Sequence, residues 1–143
     1  MATAHDVAAF ILKTHGAMTA MKLQKLVYYS QAWSLVWDER PIFADRIEAW
    51  ANGPVVPTLY EQHRGQFMLS SLGDGNADAL TKDERETVAG VLKFYGDKDS
   101  QWLSDLTHRE TPWREARQGL RDGERGNVEI THAALFEYYG SLA

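Results

Sequence analysis

The sequence predicts a mainly α-helical α+β fold, a compact single domain around a central long helix at about residues 19–37. First, apolar residues recur at helical spacing along most of the chain, with capping residues before them. Second, the long segment is apolar in two directions, which is typical of a helix packed on two sides. Third, the short alternating runs 42–43 and 47–50 predict a small antiparallel β element.

Two helices are predicted in the first quarter of the chain. Asp6 is placed to cap the first helix, which spans about ten residues and ends at Gly16. Thr19 is placed to cap the long helix. One apolar arc of the long helix contains two serines, whose small side chains permit another element to approach closely. We therefore expect this helix to be the centre of the core.

The middle of the chain is predicted to be extended and then to turn. The runs 42–43 and 47–50 are interpreted as short strands. Asn52-Gly53-Pro54 has turn chemistry, because Gly tolerates a positive φ and Pro fixes the next φ. Pro57 suits the first turn of a helix that continues to a break at Gly65.

Four further helices are predicted after a mobile surface loop at residues 72–77. The first of them begins with a capping box at Thr81 and ends at Gly96. Ser100 is placed to cap the second, which is short and leads into a connector at residues 107–110.

The end of the chain is predicted to hold two more helices and a third short strand. Thr111 is placed to cap one helix, with Pro112 in its first position. Residues 128–130 are a possible strand that would pair with the middle of the chain. Thr131 is placed to cap the last helix, which is expected to end at Gly140.

Composition excludes several classes of function. The 143 residues contain no Cys, which excludes disulfides, thiolate zinc sites and cysteine nucleophiles. A formal charge of −5 disfavours binding to a phosphate backbone, so a nucleic-acid partner is not expected. No apolar stretch approaches the roughly 20 residues that span a bilayer, and the N-terminus lacks signal-peptide features. We therefore expect a cytoplasmic protein with no membrane partner.

No pattern of catalytic or metal-binding residues is present. No two histidines are four residues apart, and there is no Gly-x-Ser-x-Gly segment. We therefore assign no catalytic, cofactor-binding or metal-binding residue and predict that the chain is not an enzyme. One alternative stays open, an enzyme with a carboxylate/His site near Glu61, His63 or His108. For His108 a structural role between two helices is the commoner interpretation.

Three motifs, in order along nearly the whole chain, resemble a known family. They are Thr19-x-x-Lys22-Leu23-Gln24-Lys25-Leu26-x-Tyr28-Tyr29, Ile47-x-Ala49-Trp50-x-x-Gly53-Pro54-Val55-Val56-Pro57 and Leu106-Thr107-His108-x-Glu110-x-Pro112-Trp113. Together they resemble the Panacea antitoxin domain family, which is also described as SocA-like or phage-associated. Residues 1–143 are accordingly interpreted as a single Panacea-like antitoxin domain.

The resemblance implies an antitoxin of a toxin–antitoxin pair, with a role in phage defence. Such a protein neutralises its cognate toxin by direct protein–protein binding, without catalysis or a cofactor. The implied partner is a protein toxin encoded by the adjacent gene. The alternative that the resemblance leaves open is an adaptor that delivers the toxin to an ATP-dependent protease.

The motif residues are expected to be mainly structural, because they are of the types that turns, helix starts and large core anchors require. The residues given this structural interpretation are Leu23, Leu26, Trp50, Gly53, Pro54, Val55, His108, Pro112 and Trp113. Partner contacts are expected on surface outside the motifs, or along an exposed edge formed by Lys22, Lys25 and Tyr29.

Overall fold

The computed structural model describes residues 1–143 and contains seven α-helices and four short strands. The elements are α1 (Ala4–His15), β1 (Met18–Thr19), α2 (Ala20–Trp37), β2 (Glu48–Trp50), β3 (Gly53–Val55), α3 (Pro57–His63), β4 (Met68–Leu69), α4 (Lys82–Tyr95), α5 (Ser100–Arg109), α6 (Thr111–Ala116) and α7 (His132–Leu142). The strands form two separate antiparallel pairs, β1 with β4 and β2 with β3. The predicted mainly helical α+β fold around one long helix is confirmed.

Helix α2 is the centre of the fold. It packs against α1, α4, α5, α7 and strand β3, and most of its residues are buried. The two serines within its apolar arc are satisfied locally: Ser30 donates to the Leu26 carbonyl at 2.8 Å and Ser34 to the Arg40 carbonyl at 2.7 Å. Trp37, at the end of the helix, is half exposed and stacks on Trp33. The prediction of a helix packed on two sides is confirmed.

One hydrophobic core of 31 buried residues runs through the molecule. Both terminal helices contribute to it, with Val7 and Ile11 from α1 and Leu135 and Tyr139 from α7. No helix is both long enough and apolar enough to cross a bilayer.

Three predicted helix starts are confirmed by their hydrogen bonds. The hydroxyls of Thr19, Thr81 and Thr131 each accept from a backbone N–H three residues later. At Thr81 the Glu84 carboxylate also accepts from the Thr81 N–H at 2.8 Å, which completes the capping box.

The caps predicted at Asp6 and Ser100 are wrong. Thr3 caps α1. Asp6 is the third residue of the helix, and its carboxylate accepts from the Thr3 N–H at 2.9 Å, which completes a capping box. Asp99 caps α5, because its carboxylate reaches the Trp102 N–H, whereas the Ser100 hydroxyl is bonded to the hydroxyl of Thr19. In both helices the side-chain oxygen of the residue just before the helix accepts from a free backbone N–H, whereas the predicted cap residue lies inside the helix.

The region around residue 110 is more helical than predicted. Helix α5 continues to Arg109, so residues 107–109 are helical and Glu110 is the only residue between α5 and α6. Glu110 occupies the cap position of α6 instead of Thr111, and its side chain makes no cap hydrogen bond. The last helix also runs past Gly140 to Leu142, because Gly140 adopts helical geometry.

Strands β2 and β3 form a hairpin around a two-residue turn at Ala51-Asn52. The turn predicted at Asn52-Gly53-Pro54 therefore lies one residue too late, since Gly53–Val55 is the second strand. Pro54 is tolerated there because it faces Ala49 in the non-hydrogen-bonded pair of the ladder, where no N–H is needed. Pro57 begins α3 as predicted.

The predicted strand at residues 42–43 is wrong. The Gln31 side chain holds this segment instead: its oxygen accepts from the Ile42 N–H at 2.8 Å, and its amide donates to the Phe43 carbonyl at 2.8 Å. Both backbone groups are thus bonded without a second strand.

The predicted pairing of residues 128–130 with the middle of the chain is present but is shorter than a strand. A single bridge joins Glu48 and Glu129, with flanking hydrogen bonds from Ala49 N–H to Val128 and from Ile130 N–H to Ile47. The pairing of β1 with β4 was not predicted.

Candidate partner-binding groove

The structure contradicts the exposed edge expected at Lys22, Lys25 and Tyr29. Lys25 and Tyr29 are buried, at 1% and 0% exposure, because α5, α7 and the hairpin cover that side of α2. Lys22 is half buried, and its ammonium donates to the Gly96 carbonyl at 2.6 Å. Lys25 and Tyr29 therefore have no exposed surface on which a partner could bind.

Tyr29 belongs to a buried hydrogen-bond network around Glu110. The hydroxyls of Tyr29 and Tyr139 both donate to Glu110 Oε1, at 2.7 and 2.8 Å, and the Tyr28 hydroxyl bonds that of Tyr139 at 3.0 Å. Burial raises the pKa of the Glu110 carboxyl, while the two tyrosine hydrogen bonds act in the opposite direction. The network connects α2, α7 and the α5–α6 junction.

Lys25 lies beneath the hairpin and has no hydrogen-bond partner for its amine. Gly53, with φ of +126°, passes directly over it: a Cβ at position 53 would lie 2.5 Å from Lys25 Cε. Burial lowers the pKa of the Lys25 amine to about 7. Gly is thus required at position 53 both for its backbone conformation and for the space that Lys25 occupies.

The residues considered for an enzymatic site form no shared hydrogen bond. His63 is buried and accepts from the Gln24 amide at 2.9 Å, and His108 stacks on Trp113 with ring centres 4.0 Å apart. Burial lowers the pKa of both imidazoles. Glu61 is exposed and pairs with Arg64 at 3.9 Å. No group of three His, Asp or Glu side chains is arranged to hold a metal ion.

The remaining motif residues lie around the hairpin and α2. All nine residues that were given a structural interpretation are buried except Trp50 and His108, which are partly buried. Trp113 donates from its indole to the Trp50 carbonyl at 2.8 Å, which holds α6 against the hairpin. The Trp50 indole in turn donates to Glu48 at 2.9 Å.

Arg117 extends this contact to the following loop. Its guanidinium is buried, lies 5.1 Å from the Trp113 ring centre and donates to the carbonyls of Ala49, Arg121 and Glu124. The loop at 119–126 is thereby fixed beside the hairpin. No sequence pattern indicates this role, because a single Arg in a charged segment usually lies in solvent.

Two open cavities adjoin on the surface next to the hairpin, with volumes of about 770 and 430 Å³. Met21 and Tyr60 line both cavities, and we call the combined surface the Met21–Tyr60 groove. Other residues of the first cavity are Glu48, Trp50, Asn52, Val55, Arg125 and Asn127. Other residues of the second are Thr19, His63, Gln66, Phe67 and Ser100.

The groove is mostly apolar, and one of its two charged side chains, Arg125, forms no ion pair. Trp50 and Tyr60 are in edge-to-face contact, with centres 5.0 Å apart, and Phe67 at the rim is 77% exposed. Glu48 pairs with Arg46 at 2.8 Å, but Arg46 also pairs with Glu129 at 3.3 Å, so these three side chains carry one net negative charge. Arg125 forms no ion pair. An apolar, open surface with one free cation is suited to bind a protein segment.

The comparisons with known proteins give one match. The model of the family described as "Antitoxin SocA-like, Panacea domain" matches residues 23–114. No curated protein and no solved structure matches the chain. The matched span includes most of α2, the hairpin and Trp113, whereas Met21 and Arg125 of the groove lie outside it.

Proposed function

The chain belongs to the SocA-like antitoxin family with the Panacea domain, and from this premise we propose that it neutralises a protein toxin by direct binding. The family match over residues 23–114 carries the proposal. The partner is a cognate toxin encoded by the adjacent gene, which the antitoxin meets in the cytoplasm. Neutralisation requires no catalytic step and no cofactor on the side of the antitoxin.

We also propose that the antitoxin domain extends over the whole chain, residues 1–143. The family match leaves out α1 and α7, yet both helices pack against α2. The Tyr139 hydroxyl of α7 also shares the Glu110 carboxylate with Tyr29 of the matched region. Removing either terminal helix would therefore expose the core around α2.

Binding is supported over catalysis by the surroundings of the candidate side chains. The His63 imidazole is buried and bonded to Gln24, and the His108 ring is stacked on Trp113. Neither imidazole shares a hydrogen bond with Glu61, which pairs with Arg64 instead. The open surface that His63 lines is mainly apolar, which suits contact with another protein.

Growth rescue tests the proposal directly. Expression of the adjacent gene alone is expected to arrest growth, and co-expression of this chain is expected to restore it. The two proteins should also co-purify. A harmless neighbour, or a toxic neighbour that this chain neither rescues nor binds, would refute the proposed function.

The same strains separate inhibition from delivery to an ATP-dependent protease. Direct inhibition leaves the half-life of the toxin unchanged when the antitoxin is present. Delivery shortens that half-life in cells with the protease intact and not in cells that lack it.

A further inference from the structure

We propose that the toxin binds in the Met21–Tyr60 groove, through an extended segment that carries apolar side chains and a carboxylate. This proposal rests on the proposed antitoxin function and specifies the surface and the chemistry of the partner segment. The groove combines open volume, exposed aromatic surface and an arginine without an ion pair in one place.

The apolar character of the groove favours apolar side chains in the partner. Met21 and Tyr60 are half buried at the junction of the two cavities, and Val55 lines the first cavity as a buried residue. Phe67 exposes most of its ring at the edge of the second cavity. Exposed aromatic rings beside a concave surface are typical of sites that become buried on association.

The charge of the groove favours a carboxylate in the partner. Glu48 and Arg125 are the only Asp, Glu, Lys or Arg side chains among the lining residues. Glu48 accepts from the Trp50 indole and from Arg46, which it shares with Glu129, so its carboxylate is already bonded within the chain. Arg125 remains without an acidic partner in a chain whose formal charge is −5. A carboxylate of the toxin would find a complementary charge at this point.

The division of the groove into two cavities favours an extended segment. Side chains at positions i and i+2 of an extended chain lie on one face, roughly 7 Å apart. One such side chain can enter each of the adjoining cavities, while the chain passes over Met21 and Tyr60. In this arrangement the carboxylate lies at the Arg125 end and the apolar side chain at the Phe67 end.

The walls of the groove are held by buried contacts within the chain. Arg117 bonds three carbonyls and thereby fixes the loop that carries Arg125. Trp113 fixes the hairpin through the Trp50 carbonyl, and Gln24 fixes the start of α3 through the Val56 N–H at 2.9 Å. The surface therefore exists before the partner arrives, which reduces the ordering needed on binding.

The test measures the affinity of the full chain for the purified product of the adjacent gene, by titration calorimetry. Phe67→Ser and Arg125→Gln each alter one end of the groove, and both side chains are exposed, so folding should be retained. We expect each to weaken binding by at least about tenfold. Only Arg125→Gln should reduce the dependence of affinity on salt concentration.

Matched controls lie elsewhere on the surface. Phe94→Ser removes an aromatic ring of 66% exposure from α4, and Arg114→Gln removes an exposed arginine that does not line the groove. Both are expected to bind within about threefold of the wild type. Thermal unfolding of all four variants checks that they fold.

The outcomes separate the two proposals. If the wild type binds the toxin and the groove variants bind it equally well, the groove is refuted as the binding site while the antitoxin function stands. If the wild type neither binds nor rescues growth, both proposals fall.

Short overlapping peptides from the toxin supply a second measurement: a bound peptide with an acidic and an apolar residue supports an extended segment. Toxin binding with no peptide bound would overturn that part of the proposal.

Discussion

Replacing Lys25 by Met is expected to stabilise the protein, by an amount that depends on pH. Met keeps the length and the apolar stem of Lys and removes the amine, which is buried under Gly53 without a hydrogen-bond partner. The environment therefore opposes the charged form of Lys25 and is compatible with a thioether. The substitution converts an unpaired buried polar group into core.

The magnitude follows from the pKa of the Lys25 amine. Burial lowers this pKa from 10.5 to about 7. At about 1.4 kcal/mol for each unit of pKa, holding the ammonium inside the fold costs about 5 kcal/mol. Below pH 7 both the folded and the unfolded chain are protonated at Lys25, so the full cost is present.

The sign of the pH dependence follows from the same two pKa values. Between pH 7 and 10.5 the unfolded chain binds a proton at Lys25 that the folded chain has released, so the wild type gains stability as pH rises. The advantage of Lys25→Met should therefore be about 4 kcal/mol at pH 7, about 2 at pH 9 and below about 1 at pH 10.

Urea unfolding of the wild type and Lys25→Met at several pH values between 7 and 10 measures this difference. Lys93→Met, at an exposed position on α4, is the matched control and should show no comparable change with pH. Burial also raises the pKa of Tyr28, Tyr29 and Tyr139, which destabilises both proteins equally at alkaline pH and cancels in the difference. A gain that is constant with pH, or a loss of stability at pH 7, would refute the reasoning.

Three further substitutions test buried contacts of the hairpin and of the Glu110 network. Gly53→Ala should lower the free energy of unfolding by about 2–4 kcal/mol, because φ is positive and Lys25 fills the space that the Cβ would need. Gly16→Ala, where φ is also positive but the space is open, should lower it by only about 1 kcal/mol. Equal losses for the two variants in urea unfolding would contradict the steric clash with Lys25. Glu110→Ala leaves two buried tyrosine hydroxyls without an acceptor and should lose about 2–4 kcal/mol, whereas Glu110→Gln keeps an acceptor and should lose less than about 1 kcal/mol at pH 7. Trp113→Phe removes the bond to the Trp50 carbonyl and should accelerate hydrogen exchange of the hairpin amides; unchanged exchange would show that α6 does not hold the hairpin.

The parts of the fold that the sequence predicted well depend on local signals. Helix α2 was identified from its periodicity, and Thr19 and Thr81 from capping chemistry, which acts over about three residues. The missed features depend on contacts between distant residues. Strands β1 and β4 are only two residues long and lie about 50 positions apart, so they have no measurable periodicity. The Gln31 side chain takes the place of a strand at residues 42–43, which no period-two pattern can reveal.

The burial of Lys25 and Tyr29 was missed for a different reason. A helical projection gives the direction of each side chain and does not tell how many elements cover that direction. Lysine is rarely buried without a partner, so exposure was the ordinary expectation for Lys25. The two tyrosine pairs Tyr28-Tyr29 and Tyr138-Tyr139 were the one available signal for the network around Glu110, since buried tyrosine hydroxyls require a bonding partner.

Buried and exposed residues differ in how strongly a substitution disturbs the fold, and this difference bears on how one fold could bind different toxins. Gly53, Trp113 and Glu110 hold the hairpin, α6 and α7 in place, so changes at these positions disturb the whole scaffold. Phe67 and Arg125 line the proposed groove and have exposed side chains, so substitutions there should alter stability by only about 0.5 kcal/mol. A new ring or a reversed charge at these two positions can therefore change the partner segment that fits while the scaffold is retained.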